Sequence, residues 1–200
     1  MHLRANAIVC SSLPHGETGA VVRLLTADQG MIAAYVPGAR GRQLRPVLIP
    51  GNLVEAELRT RTETQMPSAR LELVTSRGPW LGEPLAAAAI GWVCALAAAT
   101  LPERHAYPAI RLALEALLDA VCHAPSARGW LPGLLRYEAL VLRDLGYGEV
   151  PPPPADAEPQ ALLGIFDRQG EVLARYVLAE RRGDVMGART LLRERLVRMI

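Results

Sequence analysis

The chain has 200 residues, half of them hydrophobic, which is enough for one large or two small domains with a sizeable core. Its net charge of +2 is too small to mark a nucleic-acid binder, and although all 22 basic residues are Arg, a GC-rich genome explains that bias as well as phosphate recognition does. Cys10, Cys94 and Cys122 lie far apart with no C-x-x-C pair, so neither a zinc knuckle nor a disulfide framework is indicated and a reducing cytoplasm fits.

The opening MHLRANAIVC lacks a long apolar run after its basic residue and does not read as a signal peptide. From there to Trp80 the chain reads as strands. Ala7–Ser11, Ala20–Thr26 and Met31–Val36 are rich in β-branched and small residues, separated by turn signals at Pro14-His15-Gly16, Asp28-Gln29-Gly30 and Pro37-Gly38. In 53–61, Val54, Ala56 and Leu58 alternate with Glu55, Glu57, Arg59 and Arg61, the period of a half-buried strand. Ala69, Leu71 and Leu73 repeat it, with Arg70 and Glu72 outward. Five short strands in about 75 residues predict a small closed barrel of OB type, since closure removes exposed edges. Nine Arg against six acids give this part +3, leaving −1 for the remainder.

After Trp80 the period becomes helical. Pro84 to Pro102 carries no charge and approaches membrane-spanning length, but Ala dominates it and Gly91 interrupts it, so a buried helix is the better reading. Ile110, Leu114, Leu117, Leu118 and Val121 share one helical face; Leu131, Leu135, Leu142 and Leu145 mark the next helix, stopped by Gly146. Pro151–Pro154 reads as a stiff linker. Leu162–Phe166 and Val172–Val177 flank Asp167-Arg168-Gln169-Gly170, which predicts a hairpin, and Ala188, Leu192, Leu196 and Met199 predict a closing amphipathic helix. The expected class is α+β: a barrel domain over 1–80, then a helical domain over 81–200 with a Pro-rich linker near 151–160.

No catalytic constellation is apparent. The four His stand at no metal-ligand spacing, Gly146-Tyr147-Gly148 follows a helix rather than a strand, and Glu55 and Glu57 sit beside Arg59 and Arg61 as a solvated face would. The segment 38–45 holds Arg40, Arg42 and Arg45 on a loop between two strands. Guanidinium groups there suit a phosphate backbone and fix no sequence; an ordinary solvated loop is the equal alternative. Arg23, Arg59, Arg61 and Arg70 are further candidates on the barrel wall. Tyr35 is the only Phe, Trp or Tyr before Trp80. Such a surface would hold backbones and leave base edges accessible, and its binding would fall steeply with salt.

In Ile8 to Thr18 an apolar strand runs into a G-E turn, which resembles the start of the RecO family of bacterial recombination mediators. Leu24-Leu25-Thr26 with Gly30, then Pro37-Gly38-Ala39-Arg40 and Pro50-Gly51-Asn52-Leu53-Val54, resemble its next strands and the entry to its basic loop. Arg136-Tyr137-Glu138 with Leu145-Gly146-Tyr147-Gly148 resembles its helix ending in L-G-[YF]-G. The resemblance implies an OB barrel before a helical bundle and a non-catalytic role in DNA repair and recombination. It implies binding of single- and double-stranded DNA, strand annealing, and loading of recombinase together with RecR. It further implies contact with the acidic, hydrophobic tail of the single-stranded DNA-binding protein, for which Arg136 is the candidate, and a cytoplasmic, nucleoid-associated place. Many relatives carry a four-Cys zinc module after that helix. Here Pro151–Pro154 follows with no Cys beyond Cys122, so no metal is expected. A protein-interaction adaptor whose barrel does not bind DNA is the alternative.

Overall fold

In the computed structural model the described residues are 2–60, 62, 65–154, 156–179 and 184–198; Arg61 and Met199 lie outside them. The chain divides into two compact units, one of residues 1–82 with 101–111 and one of residues 83–100 with 112–200.

The first unit is built on five strands, β1 (His2–His15), β2 (Gly19–Thr26), β3 (Gly30–Val36), β4 (Leu53–Arg59) and β5 (Ser68–Thr75), closed in the order β1-β2-β3-β5-β4. The alternation read from the sequence is the cause. Val54, Ala56 and Leu58 point into a core shared with Ala7, Val9, Val22, Leu24, Ile32 and Ala34, while Glu55, Glu57 and Arg59 face out. Closure between β3 and β5 is slight, through the parallel pair Tyr35 and Ser68. The segment 37–52 joins β3 to β4. Gly38 (φ +67°) starts a run of turns in which the Arg45 N–H donates to the Gly41 carbonyl at 3.1 Å and the Leu48 N–H to that of Leu44 at 3.1 Å. Ala39, Val47 and Leu48 drop into the core. This segment is therefore a hydrogen-bonded cap, not the loose loop expected between strands.

Asn52 fixes the cap. Its buried amide donates to the carbonyls of Pro46 (2.8 Å) and Val47 (3.1 Å) and accepts from the Arg77 N–H (2.7 Å), while its own carbonyl takes the Val9 N–H at 2.9 Å. That last bond sits at the bulge between Val9 and Ser11, where β1 leaves register with β2. The expectation for β5 needs one correction. Ala69 and Leu71 are buried, but Leu73 is 41% exposed. Near Leu73 the β4–β5 ladder slips at Leu53–Val54, and β3 pairs with β5 only at the latter's start.

The second unit is helical. Helix α1 (Pro84–Thr100) buries Trp92, Val93, Leu96 and Ala97, and no helix among the described residues is long and apolar enough to cross a membrane. Helix α2 (Pro108–His123), whose first four residues are counted with the first unit, buries all five residues of its expected face, and α3 (Leu131–Asp144) buries Leu131, Leu135 and Leu142. Gly146 (φ +83°) closes α3: the Tyr147 N–H reaches back to the Leu142 carbonyl at 2.9 Å and the Gly146 N–H to that of Arg143 at 3.0 Å, the paired bonds of a glycine C-terminal stop. The hairpin expected over 162–177 is absent. Helix α4 (Pro159–Val172) runs through it into a wider π turn, Leu173–Val177. Leu162, Phe166, Gln169, Gly170, Leu173 and Val177 are buried at helical spacing, and that periodicity overrides the local turn signal. Helix α5 (Val185–Val197) follows, capped by Asp184, whose carboxylate accepts the Gly187 N–H at 2.7 Å.

A buried ion pair fastens α5. Arg189 donates twice to Glu138 on α3, at 3.0 and 2.9 Å, and the Trp92 indole N–H donates to the same carboxylate at 2.7 Å. The guanidinium lies 3.6 Å from the Phe166 ring centre. Gly170 permits this, because a Cβ there would come within 2.0 Å of Arg189 Nη1.

Candidate functional site

Of the seven barrel arginines singled out in the sequence, the structure brings three together. Arg40, Arg42 and Arg45 are exposed on the cap, in a stretch, 37–52, that contains no acid. Arg40 is anchored to the β1–β2 turn: its N–H donates to the Thr18 carbonyl at 3.1 Å and its Nη1 to that of Glu17 at 3.0 Å. Arg40 and Arg45 line a shallow groove of about 550 Å³ with Ser12, Pro14, Gly19, Ala20, Ala39 and Leu48. No carboxylate lines it, and among the described residues no ion pair engages the three arginines. Their charge faces solvent, with backbone carbonyls rather than anions holding Arg40.

The other candidates are placed differently. Arg23 on β2 donates to Glu103 at 3.2 Å and to the Leu101 carbonyl at 3.3 Å, so its charge is met within its own unit. Arg59 bonds Glu57 on its own strand. Arg70 faces a second groove lined also by Arg4, Glu55, Glu57 and Glu72, where three carboxylates outnumber two guanidinium groups. Hydrogen bonds from Arg59 and then His2 hold the Glu57 carboxyl below the usual range, and Arg4 bonds Glu55. This wall is a charge-balanced lattice. Arg61 lies outside the described residues.

Arg136 stands in a different setting. It is exposed on α3 and lines an apolar groove of about 830 Å³ with Leu117, Trp130, Tyr137, Leu140 and Pro151. Arg143, two helical turns along the same face, lines it too, but its guanidinium is paired with Asp144 at 2.9 Å and Glu149 also lines the groove, so among the described residues Arg136 is the cation left to a ligand. The sequence reading missed Arg143, although its spacing of seven from Arg136 was the available signal. It also passed over what surrounds Tyr35: the ring meets His15 edge-on at 6.0 Å and leans across Gly19.

No acid–base pair or nucleophile stands out in these grooves. Burial pushes the Cys10 thiol up to about 12, which keeps it protonated at neutral pH. Among the described residues no three His, Cys, Asp or Glu side chains gather as metal ligands would.

Comparison with known proteins places this architecture. A family profile described as "Recombination protein O N terminal" matches residues 1–77, the span of the five strands. A DNA repair protein RecO of Phenylobacterium zucineum (strain HLK1) is 42% identical over 150 residues, covering 74% of this chain and 60% of the relative. One of Caulobacter vibrioides (strain NA1000 / CB15N) is 41% identical over 169 residues, 84% of this chain and 65% of the relative. One of Jannaschia sp. (strain CCS1) is 33% identical over 182 residues, 90% of this chain and 73% of the relative. The chain spans about three fifths of the first of these relatives and nearly three quarters of the last. With an OB-type barrel of the expected strands, helices after it and identity running along most of its length, the chain belongs to the RecO family.

Proposed function

We propose that this protein is a DNA repair and recombination mediator that holds single- and double-stranded DNA by the phosphate backbone and anneals complementary strands. The observation that carries the reading is the groove of Arg40 and Arg45, with Arg42 beside it on the cap, free of carboxylates and open to solvent. Guanidinium forks match phosphate oxygens in pairs, and a shallow groove accepts backbones of any sequence. The Arg40 guanidinium is pre-oriented by the Glu17 carbonyl, so less side-chain freedom is lost on binding. The barrel wall of Arg59, Arg70 and their carboxylates contributes much less, because its charges already balance.

The groove of the helical unit supplies the partner site. Its apolar floor, with Arg136 lining it, suits an acidic peptide bearing bulky apolar residues, the chemistry of the single-stranded DNA-binding protein's tail. Loading of recombinase with RecR on the nucleoid completes the proposed role, with no catalytic step of its own.

Strand annealing tests the reading. Replacing Arg40, Arg42 and Arg45 with Ala together is expected to slow annealing of complementary oligonucleotides at least tenfold while leaving the thermal unfolding midpoint near wild type. A triple variant that anneals at the wild-type rate rejects the assignment and favours the adaptor role, for which the helical groove alone is needed.

A further inference from the structure

We propose that Tyr35, steadied by His15 and Gly19, is a stacking platform for one nucleobase of a single strand; this rests on reading the Arg40–Arg45 groove as a phosphate site.

Strand register sets up the platform. Leu13 pairs with Val21, and Val21 with Tyr35, in one row across β1, β2 and β3. The rows on either side place Val22 with Ala34 and Ala20 with Val36, all in the core, so this row faces outward. Leu13 is 65% exposed, and Val21 and Tyr35 are half-buried. The barrel therefore presents an apolar strip ending in its one tyrosine. That ring does not stand free. Its hydroxyl end crosses Gly19, where a Cβ would come within 2.4 Å of the ring, and the His15 ring packs edge-on against it with planes at 78°. A ring so restrained loses little freedom when a planar ligand settles on it.

Gly19 joins the two chemistries. The residue that lets the Tyr35 ring lie down also lines the groove of Arg40 and Arg45. An aromatic and apolar surface beside an anion-seeking groove matches a nucleotide, which carries a flat base and a phosphate on one sugar. Double-stranded DNA keeps its base faces inside the stack and offers Tyr35 nothing; a single strand offers both parts. A base held by its face keeps its pairing edge available, so the platform and annealing are compatible.

The test compares wild type, Y35F, Y35L and Y35V on three labelled ligands: oligothymidylate, a strand of equal length with abasic residues, and a duplex. Y35F is expected to match wild type on all three. Y35L and Y35V are expected to bind oligothymidylate about tenfold more weakly. The abasic strand and the duplex should be bound as by wild type, with the same salt dependence. Y35L equal to wild type on oligothymidylate, or equally weakened on the abasic strand, overturns the platform. Should Y35L fail to fold, Y35V decides by the same comparison. A wild-type chain that binds no strand overturns the phosphate reading beneath it, and is told apart because the loss precedes any substitution at Tyr35.

Discussion

At Glu138 a carboxylate has no exposure to water and owes its charge to what surrounds it. Burial pushes its carboxyl up, and the Arg189 guanidinium, with the Trp92 indole, works against that. Such a pair adds little net stability over a well-packed apolar pair, yet breaking it strands a charge in the interior. Arg189→Met is therefore expected to lower unfolding stability by about 3–5 kcal/mol in a urea titration. A loss under about 1 kcal/mol would mean that Glu138 is not held as an ion. Gly170→Ala tests the same corner from the other side, because its new methyl group collides with the Arg189 guanidinium. It should cost about 1–3 kcal/mol, where an ordinary helical position would gain from alanine. Asn52 is the counterpart in the barrel. Asn52→Ala removes three hydrogen bonds of one buried amide and is expected to cost about 2–4 kcal/mol by the same titration.

Among the elements, strands were more legible than their connections. The alternation in 53–59 identified both faces of β4, because a period of two is unambiguous when charged and apolar residues take turns. The segment 37–52 carries no such period, and its glycines and prolines read as loop; that Ala39, Val47 and Leu48 join the barrel core depends on the sheet having closed around it, which no local pattern reports. At 162–177 the sequence holds both signals, a helical period of apolar residues and the turn residues Asp167-Arg168-Gln169-Gly170. Gly170 is glycine for a different reason, the approach of a side chain 19 residues away in sequence. The pairing of Asp167 on α4 with Arg193 on α5, at 2.6 and 2.7 Å, was equally out of local reach. That pair has a pH signature. Arg193 holds the Asp167 carboxyl below its usual range, so its contribution is present above the ordinary carboxylate pKa and is lost as pH falls through the lowered value. Thermal melts of Asp167→Asn should fall below wild type at neutral pH and converge with it in acid. A gap that persists unchanged at about pH 2 would contradict this.

For the molecule as a whole, the two units differ in the chemistry of the surfaces they offer. The barrel unit carries three outward arginines unopposed by carboxylate, and the helical unit carries an apolar groove marked by Arg136. Composition hid both, since a net charge of +2 averages the cap against acids elsewhere. Arg136→Ala is expected to weaken binding of an acidic, apolar C-terminal peptide about tenfold while leaving oligonucleotide binding unchanged. Loss of both together would mean that the substitution perturbs more than the groove.

That the cap arginines hold DNA through its phosphates is open to one decisive check, the salt dependence of single-strand binding. With affinity measured by fluorescence anisotropy over a range of salt, log K should fall linearly with log salt for wild type. The slope of the Arg40, Arg42 and Arg45 triple alanine variant should be shallower by about 2, three contacts at roughly 0.7 each. Superimposable slopes for the two proteins would contradict it.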